Sequence, residues 1–81
     1  MIIGAQIRAA RALLNWSASD FADKCSLTRN TIQRLEQSEG VPSAKIQTLL
    51  DLKRAFEEAG VEFIGTPDNG PGVRLKPKDQ H

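Results

Sequence analysis

The sequence has few of the residues that build cross-linked or metal-bound small folds. Among its 81 residues there is one cysteine, Cys25, and one histidine, His81. A single cysteine excludes an intrachain disulfide, and one cysteine with one histidine is too few for a zinc site. A chain of this length buries only about 60–65% of its unfolded surface, so a second subunit is the remaining source of stability. We expect no metal and no cofactor, and we expect a homodimer.

Long apolar runs and the residue patterns of enzymes are also missing. No apolar run approaches the roughly 20 residues that cross a membrane, and the first residues, MIIGAQIRAAR, lack the apolar centre of a signal peptide. No nucleophile lies in a pattern with a base, and there is no phosphate-binding loop. We therefore expect a cytoplasmic protein that has no membrane partner and no catalytic residues and is not an enzyme.

The net charge is small, which excludes a surface that is cationic all round. The formal net charge is +1 at pH 7, but the distribution of charge matters more than its sum. Basic residues lie in or near the first half of the chain: Arg8, Lys24, Arg29, Arg34 and Lys45. Among the ten acidic residues, those that lie later include Asp51, Glu57, Glu58 and Glu62. A local basic face is compatible with this distribution of charge.

Apolar residues at helical spacing predict three helices in the first half of the chain. The first helix covers residues 4–15. Ser17, followed three residues later by an acid, predicts the cap of a second helix, and Thr28 predicts the cap of a third. Ser26 and the residue after it form the turn between the last two, and the third helix ends within residues 38–40.

A fourth helix is predicted from a cap at Ser43 to the terminator Gly60. Its apolar residues are Ile46, Leu49, Leu50, Leu52, Phe56 and Ala59. They cover a wider arc than one packed face needs, which favours a second subunit as cover for part of it.

The character of the chain changes after residue 60. Residues 61–64 and 73–76 are β-prone, and the Gly- and Pro-rich residues 65–72 predict a long loop between two short strands. Because a lone hairpin is marginal in water, the strands must pack on the helices or pair with another chain. The residues expected at a dimer contact are Val61, Phe63, Ile64, Val73 and Leu75. We thus divide the chain into residues 1–60, a strand pair at 61–76 and a flexible tail at 77–81.

Residues 18–37 have the layout of a helix-turn-helix reader of the DNA major groove. Two short helices are joined by a tight turn, with the small residue Ala22 at their crossing. The side of the second of these helices that its apolar residues leave free carries four polar residues: Arg29, Asn30, Gln33 and Arg34. In such motifs that helix lies in the major groove.

Residues 5–59 resemble the lambda-repressor and Cro type of DNA-binding domain, the Xre family. AQIRAARALLNWS, SLTRNTIQRLEQ and VPSAKIQTLLDL follow the family's order of elements. The resemblance implies a mainly α fold of four to five helices, here followed by two short β-strands. It also implies a buried ion pair between Arg11 and Glu36. Two positions depart from the family: Ala18 replaces a phosphate-binding Gln, and Ser26 replaces the usual turn Gly.

The polar residues of the third helix suit contacts to bases. Arg pairs with N7 and O6 of guanine, and Asn or Gln pairs with N6 and N7 of adenine. Arg29 and Asn30 are the first candidates, then Arg34, whereas Gln33 suits either a base or a phosphate. The residues expected to bind phosphate are Ser17, Ser19, Thr28, Thr31, Ser43 and Lys45. The alternative for each is a helix cap or a solvated surface residue.

These features favour a sequence-specific transcriptional regulator, with repression the expected outcome by analogy. It would bind double-stranded DNA as a homodimer on a near-palindromic operator, with half-sites about 34 Å apart. One alternative is a DNA-binding antitoxin whose protein partner is a toxin. Another is a protein-interaction module without DNA binding. The pattern GVEFI…GPGVRL also resembles a tail of small bacterial members of the family, which supports only a dimer contact.

Overall fold

The computed structural model describes residues 1–76, which form four helices followed by an antiparallel pair of strands. The elements are α1 (Gly4–Leu14), α2 (Ala18–Cys25), α3 (Arg29–Glu36), α4 (Ile46–Glu58), β1 (Val61–Thr66) and β2 (Asn69–Leu75). This mainly α fold with two C-terminal strands confirms the predicted class. The predicted flexible tail at 77–81 lies outside the described residues. No helix within residues 1–76 is long and apolar enough to span a membrane.

Side-chain caps set the starts of α2 and α3 where the sequence predicts them. The Ser17 hydroxyl accepts a hydrogen bond from the Asp20 N–H at 2.9 Å, and the Asp20 carboxylate accepts one from the Ser17 N–H at 3.0 Å. The Thr28 hydroxyl accepts from the Thr31 N–H at 3.2 Å. Removing such a cap typically costs about 1 kcal/mol. Local sequence therefore fixes both starts.

The predicted start of the fourth helix is wrong. The backbone is still extended at Lys45 (φ −61°, ψ 143°), and α4 begins at Ile46 without a side-chain cap. Ser43 lies three residues before the first helical residue, too early to bond the N–H groups of the first turn. The third helix also ends sooner than predicted, at Glu36. The connection between α3 and α4 is thus longer than the sequence suggested.

The core is centred on a stack of aromatic rings contributed by different elements. The rings of Phe21 and Phe56 are stacked with centroids 4.1 Å apart, and Trp16 lies 5.9 Å and 5.8 Å from them. The other large side chains with almost no exposure are Ile2, Ile7, Ile32, Leu35, Leu52 and Val61. Burying each aliphatic side chain of this size contributes roughly 1.5–3 kcal/mol. Because Val61 belongs to this set, the strands share the helical core.

The predicted long loop at residues 65–72 is wrong, because six of its eight residues lie within the two strands. The register runs from Val61 opposite Leu75 to Thr66 opposite Asn69, within one chain. Gly65 and Gly70 have φ values of 74° and 64°, a region that glycine adopts readily. A Cβ atom at Gly65 would overlap the carbonyl of Gly70. The glycines therefore permit a close, irregular pairing that ends in a tight turn.

The hairpin of β1 and β2 packs on two helices. Strand β1 contacts α4, and β2 contacts α1. The ring of Phe63 lies 6.0 Å from that of Phe56 on α4, with the two rings tilted. This packing meets the requirement that a two-stranded sheet needs a helix to support it.

Candidate nucleic-acid interface

Helix α3 has one buried side and one exposed side. Ile32, Leu35 and Glu36 are buried. At 100° per residue, Arg29, Gln33, Asn30 and Arg34 fall within an arc of about 140° on the opposite side. Arg29, Asn30 and Arg34 are exposed and Gln33 is half-buried. The four predicted base-reading residues thus share one surface.

Gln37 extends this surface and was missed from the sequence. It is the exposed residue that follows α3, with a helical backbone conformation (φ −82°, ψ −8°). Its angular position lies inside the same arc, four residues after Gln33 and three after Arg34. The helical periodicity was the signal, since the predicted third helix already contained Gln37, but Gln37 was not among the residues expected to contact DNA. We name the surface of these five residues, 29, 30, 33, 34 and 37, the polar face of α3.

The start of α3 presents two hydroxyl groups to solvent. Thr28 is exposed and Thr31 is half-buried, and their Oγ1 atoms are 2.9 Å apart. The Thr28 oxygen already accepts from the Thr31 N–H. Since one hydroxyl donates to the other, one hydroxyl proton remains available to an acceptor. A phosphate oxygen near the helix start would suit that proton and the positive end of the helix dipole.

The start of α2 is already occupied by the protein's own carboxylate. The Ser17 hydroxyl and Asp20 carboxylate satisfy each other's backbone N–H groups. The backbone and side-chain hydrogen bonds from Ser17 lower the pKa of Asp20. The Ala18 side chain is buried and too short to reach a phosphate. Ser19, which is exposed, is the remaining candidate for a phosphate contact in this first turn. A negative charge in this first turn makes the site less favourable for an anion than the start of α3.

The connection after α3 lies beside the polar face. The Arg34 Nη1 atom donates to the Ser43 carbonyl at 3.5 Å, which is long for a hydrogen bond. Ser43 and Lys45 are exposed. The structure therefore brings Ser43 next to a predicted base-reading residue.

The buried side of α3 is held to α1 by arginines. Arg11 forms a bidentate pair with Glu36, with Nε–Oε2 at 2.5 Å and Nη2–Oε1 at 2.9 Å. Hydrogen bonding to Glu36 raises the pKa of Arg11. The third Arg11 nitrogen, Nη1, donates to the Trp16 carbonyl at 2.9 Å. The Glu36 side chain is buried, whereas the Arg11 side chain stays partly exposed.

Arg8 adds a contact that the sequence did not reveal. Its Nη1 atom donates to the backbone carbonyl of Glu36. Gly4 lies against the same end of α3, where a Cβ atom would stand 2.7 Å from the carbonyls of Leu35 and Glu36. Helix α1 therefore fixes the C-terminal end of α3. Arg8, one of the basic residues of the first half of the chain, supports this end of α3 and does not belong to its polar face.

The remaining chemistry of the described chain is sparse. Burial, with a smaller contribution from the charge of Asp51, raises the pKa of the Cys25 thiol to about 11. The thiol is therefore neutral near pH 7 and packs against the core. Within residues 1–76, no group of three or more His, Cys, Asp or Glu side chains is arranged to hold a metal ion.

Comparison with known proteins agrees with this geometry. A family model described as helix-turn-helix matches residues 7–57. The match covers more than half of the chain, from within α1 to the last turn of α4. No curated protein matches the chain significantly.

Proposed function

Because the chain belongs to the Xre, lambda-repressor-like family of helix-turn-helix proteins, we propose that it is a sequence-specific transcriptional repressor. It binds a near-palindromic operator as a homodimer, with α3 of each protomer in the major groove. The observation that carries this proposal is the polar face of α3, which includes two exposed arginines and no acid.

Base recognition follows from the chemistry of that face. Arg29 suits the two acceptors of guanine, and Asn30 suits the acceptor and donor of adenine. Both lie at the N-terminal end of α3, the end that contacts base edges in such motifs. Arg34 and Gln33 lie about one turn further along and contact bases or backbone there.

Phosphate contacts are unequal in this proposal. Thr28 and Thr31 bind a phosphate at the start of α3, and Ser43 and Lys45 bind a second from the following connection. Ser17 and Ser19 make a weaker contact because the Asp20 carboxylate repels an anion there.

The dimer contact is assigned to the hairpin. Ile64 and Leu75 are 38% and 49% exposed, and Phe63 and Val73 are half-buried. Within residues 1–76 each strand pairs with a single other strand. The backbone groups along its outer edge, apart from the Ile64 and Gly72 carbonyls that bond Gln6, are therefore candidates for pairing with another chain. Val61 is fully buried and supports this surface from inside the protomer.

A DNA-binding antitoxin is the second candidate, and a feature of α4 favours it. Ile46 and Leu50 are 67% and 44% exposed and lie one turn apart. A toxin could cover these apolar side chains while the polar face of α3 remains free for DNA. Co-purification with a stoichiometric protein that binds to Ile46 and Leu50 would favour this candidate.

Selection of bound duplexes from a random DNA pool tests the main proposal. We expect enrichment of an inverted repeat with half-site centres about one helical turn apart. A single enriched half-site would remove the dimer from the proposal. Absence of any enriched sequence would overturn the base-reading role and favour a protein-interaction module.

A further inference from the structure

Gln6 is the only buried amide side chain within residues 1–76, and it makes three hydrogen bonds. It is 4% exposed. Its Oε1 atom accepts from the Ile3 N–H at 2.9 Å, which caps α1. Its Nε2 atom donates to the Gly72 carbonyl at 2.9 Å and to the Ile64 carbonyl at 3.4 Å. One side chain thus joins the start of α1 to both strands of the hairpin.

The position of these bonds along the hairpin gives them a geometric role. Val61 holds the base of the hairpin in the core, whereas Ile64 and Gly72 are partners further toward its tip. Apolar packing, which buries Val61 and places the Phe63 ring 6.0 Å from that of Phe56, is non-directional and by itself leaves the hairpin free to swing. The bonds from Gln6 supply a second attachment further out, which restrains the angle between the hairpin and α1.

The same helix holds the reading element. Arg8 and Arg11 of α1 contact Glu36 at the end of α3. Gln6 lies on α1 within two turns of both arginines. Helix α1 is therefore the common support of α3 and the hairpin, and it relates the orientation of one to the other.

We infer that Gln6 is a positioning residue that sets the half-site spacing the dimer accepts. This inference rests on the proposed function, in which the hairpins join the protomers and each α3 enters a major groove. One added base pair moves a half-site by about 3.4 Å and rotates it by about 34°. A dimer with fixed hairpins cannot follow that change, whereas a dimer with hairpins free to swing follows it in part.

Two variants of the full chain separate the contacts of Gln6. Gln6→Met keeps the length of the side chain and removes every hydrogen bond. Gln6→Glu keeps the acceptor for the Ile3 N–H and, measured at a pH at which the new carboxylate is ionised, removes the donor to Ile64 and Gly72. Gln47→Met is the matched control, because Gln47 is an exposed glutamine on α4 that bonds only Asp51 in the described chain.

Affinity is measured on duplexes with the selected half-sites at the preferred spacing and with one base pair inserted or removed. The wild type and Gln47→Met should lose on the order of 10²-fold at the wrong spacing, because the second half-site is out of reach. Gln6→Met and Gln6→Glu should lose about tenfold or less. All four proteins should bind one isolated half-site with affinities equal within about twofold, since the polar face of α3 is unchanged.

The outcomes separate this inference from the function beneath it. A wild type that binds no specific duplex, or binds every spacing equally, overturns the proposed dimeric reader, and the inference falls with it. A wild type with a sharp spacing preference and Gln6 variants with the same sharpness overturns the inference alone. If sedimentation and thermal melting show that both Gln6 variants are unfolded, Gln6 is a stability residue and the positioning role is wrong.

Discussion

Helices α2 and α3 have the same length and begin with the same bond, yet their surfaces differ. Each has eight residues and a hydroxyl cap that accepts from the N–H three residues on. The capping box of α2 is completed by the carboxylate of Asp20, whereas the matching position of α3 holds the hydroxyl of Thr31. Capping defines both helices, but only α3 leaves its first turn free of acid. The acid-free first turn, rather than the cap itself, is therefore what distinguishes the proposed reading helix α3 from the supporting helix α2.

The two helices also differ in how their inner sides are held. The inner side of α2 is apolar, with Phe21 and Ala22 buried. The inner side of α3 includes the buried carboxylate of Glu36, which depends on Arg11. Helix α3 is therefore fixed in orientation by directional bonds, which suits an element that must present its side chains at defined angles.

The largest expected effect comes from breaking the bonds that hold α3. Arg11→Ala leaves the Glu36 carboxylate buried without its partner and should lower the free energy of unfolding by about 3–5 kcal/mol. Urea denaturation measures the loss. Arg54→Ala is the control, because Arg54 forms an exposed pair with Asp51 at 3.9 Å, and such pairs contribute about 0–1 kcal/mol. Equal small losses in both variants would show that α3 needs no such support.

Removing one cationic side chain from each helix should separate base-specific recognition from the general electrostatic attraction of DNA. Arg29→Ala should weaken binding to the selected operator by about 1–3 kcal/mol and relax preference at one base position. Lys24→Ala removes the same charge from α2 and should leave the base preference unchanged. Titrations against operators with single base changes measure both variants. The same loss of preference in both would contradict a reading role specific to α3.

Transferring the acid of α2 to α3 tests the difference between their first turns. Thr31→Asp gives α3 the Ser17–Asp20 arrangement, which should stabilise the helix by about 0.3–1 kcal/mol through its dipole. The same carboxylate should repel phosphate and weaken DNA binding by about tenfold or more. Thermal melting and DNA titration of one variant report the two effects. A variant that binds DNA as tightly as the wild type would place no phosphate at this helix start.

The smallest expected effect is a pH dependence at the start of α2. Because the pKa of Asp20 is lowered in the folded protein, its contribution to stability is complete above the unfolded pKa, about 4. It is lost as pH falls through the lower folded value. Between about pH 4 and 2 the melting temperature of Asp20→Asn should therefore fall less steeply with decreasing pH than that of the wild type. Asp23→Asn on the same helix is the control, and equal slopes in wild type and Asp20→Asn would remove Asp20 from the acid dependence.

Local interactions account for what the sequence predicted correctly. Ser17 and Thr28 cap helices through groups three residues away, so their neighbours in sequence suffice to identify them. The polar face of α3 follows from the helical period alone. The positive φ of Ser26, 58°, also follows from its place in the turn, where the family usually has glycine.

Longer-range interactions account for what the sequence did not predict. Ser43 is a residue type that often caps helices, but the backbone stays extended as far as Lys45. The Ser43 carbonyl instead accepts from the Arg34 side chain. The glycines of the hairpin suggested a loop because their pairing depends on a partner strand. The roles of Arg8 and Gln6 depend on carbonyls 28 or more residues away, so no local pattern distinguishes them from surface residues.

The most direct measurement of the central claim is an NMR titration of the labelled protein with the selected operator and with a scrambled duplex. We expect the side-chain signals of Arg29 and Asn30 to shift with the operator and not with the scrambled duplex. The backbone amides of Ser17 and Asp20 should respond weakly and alike to both duplexes. Operator-specific shifts at the start of α2, with an unchanged polar face of α3, would contradict the account.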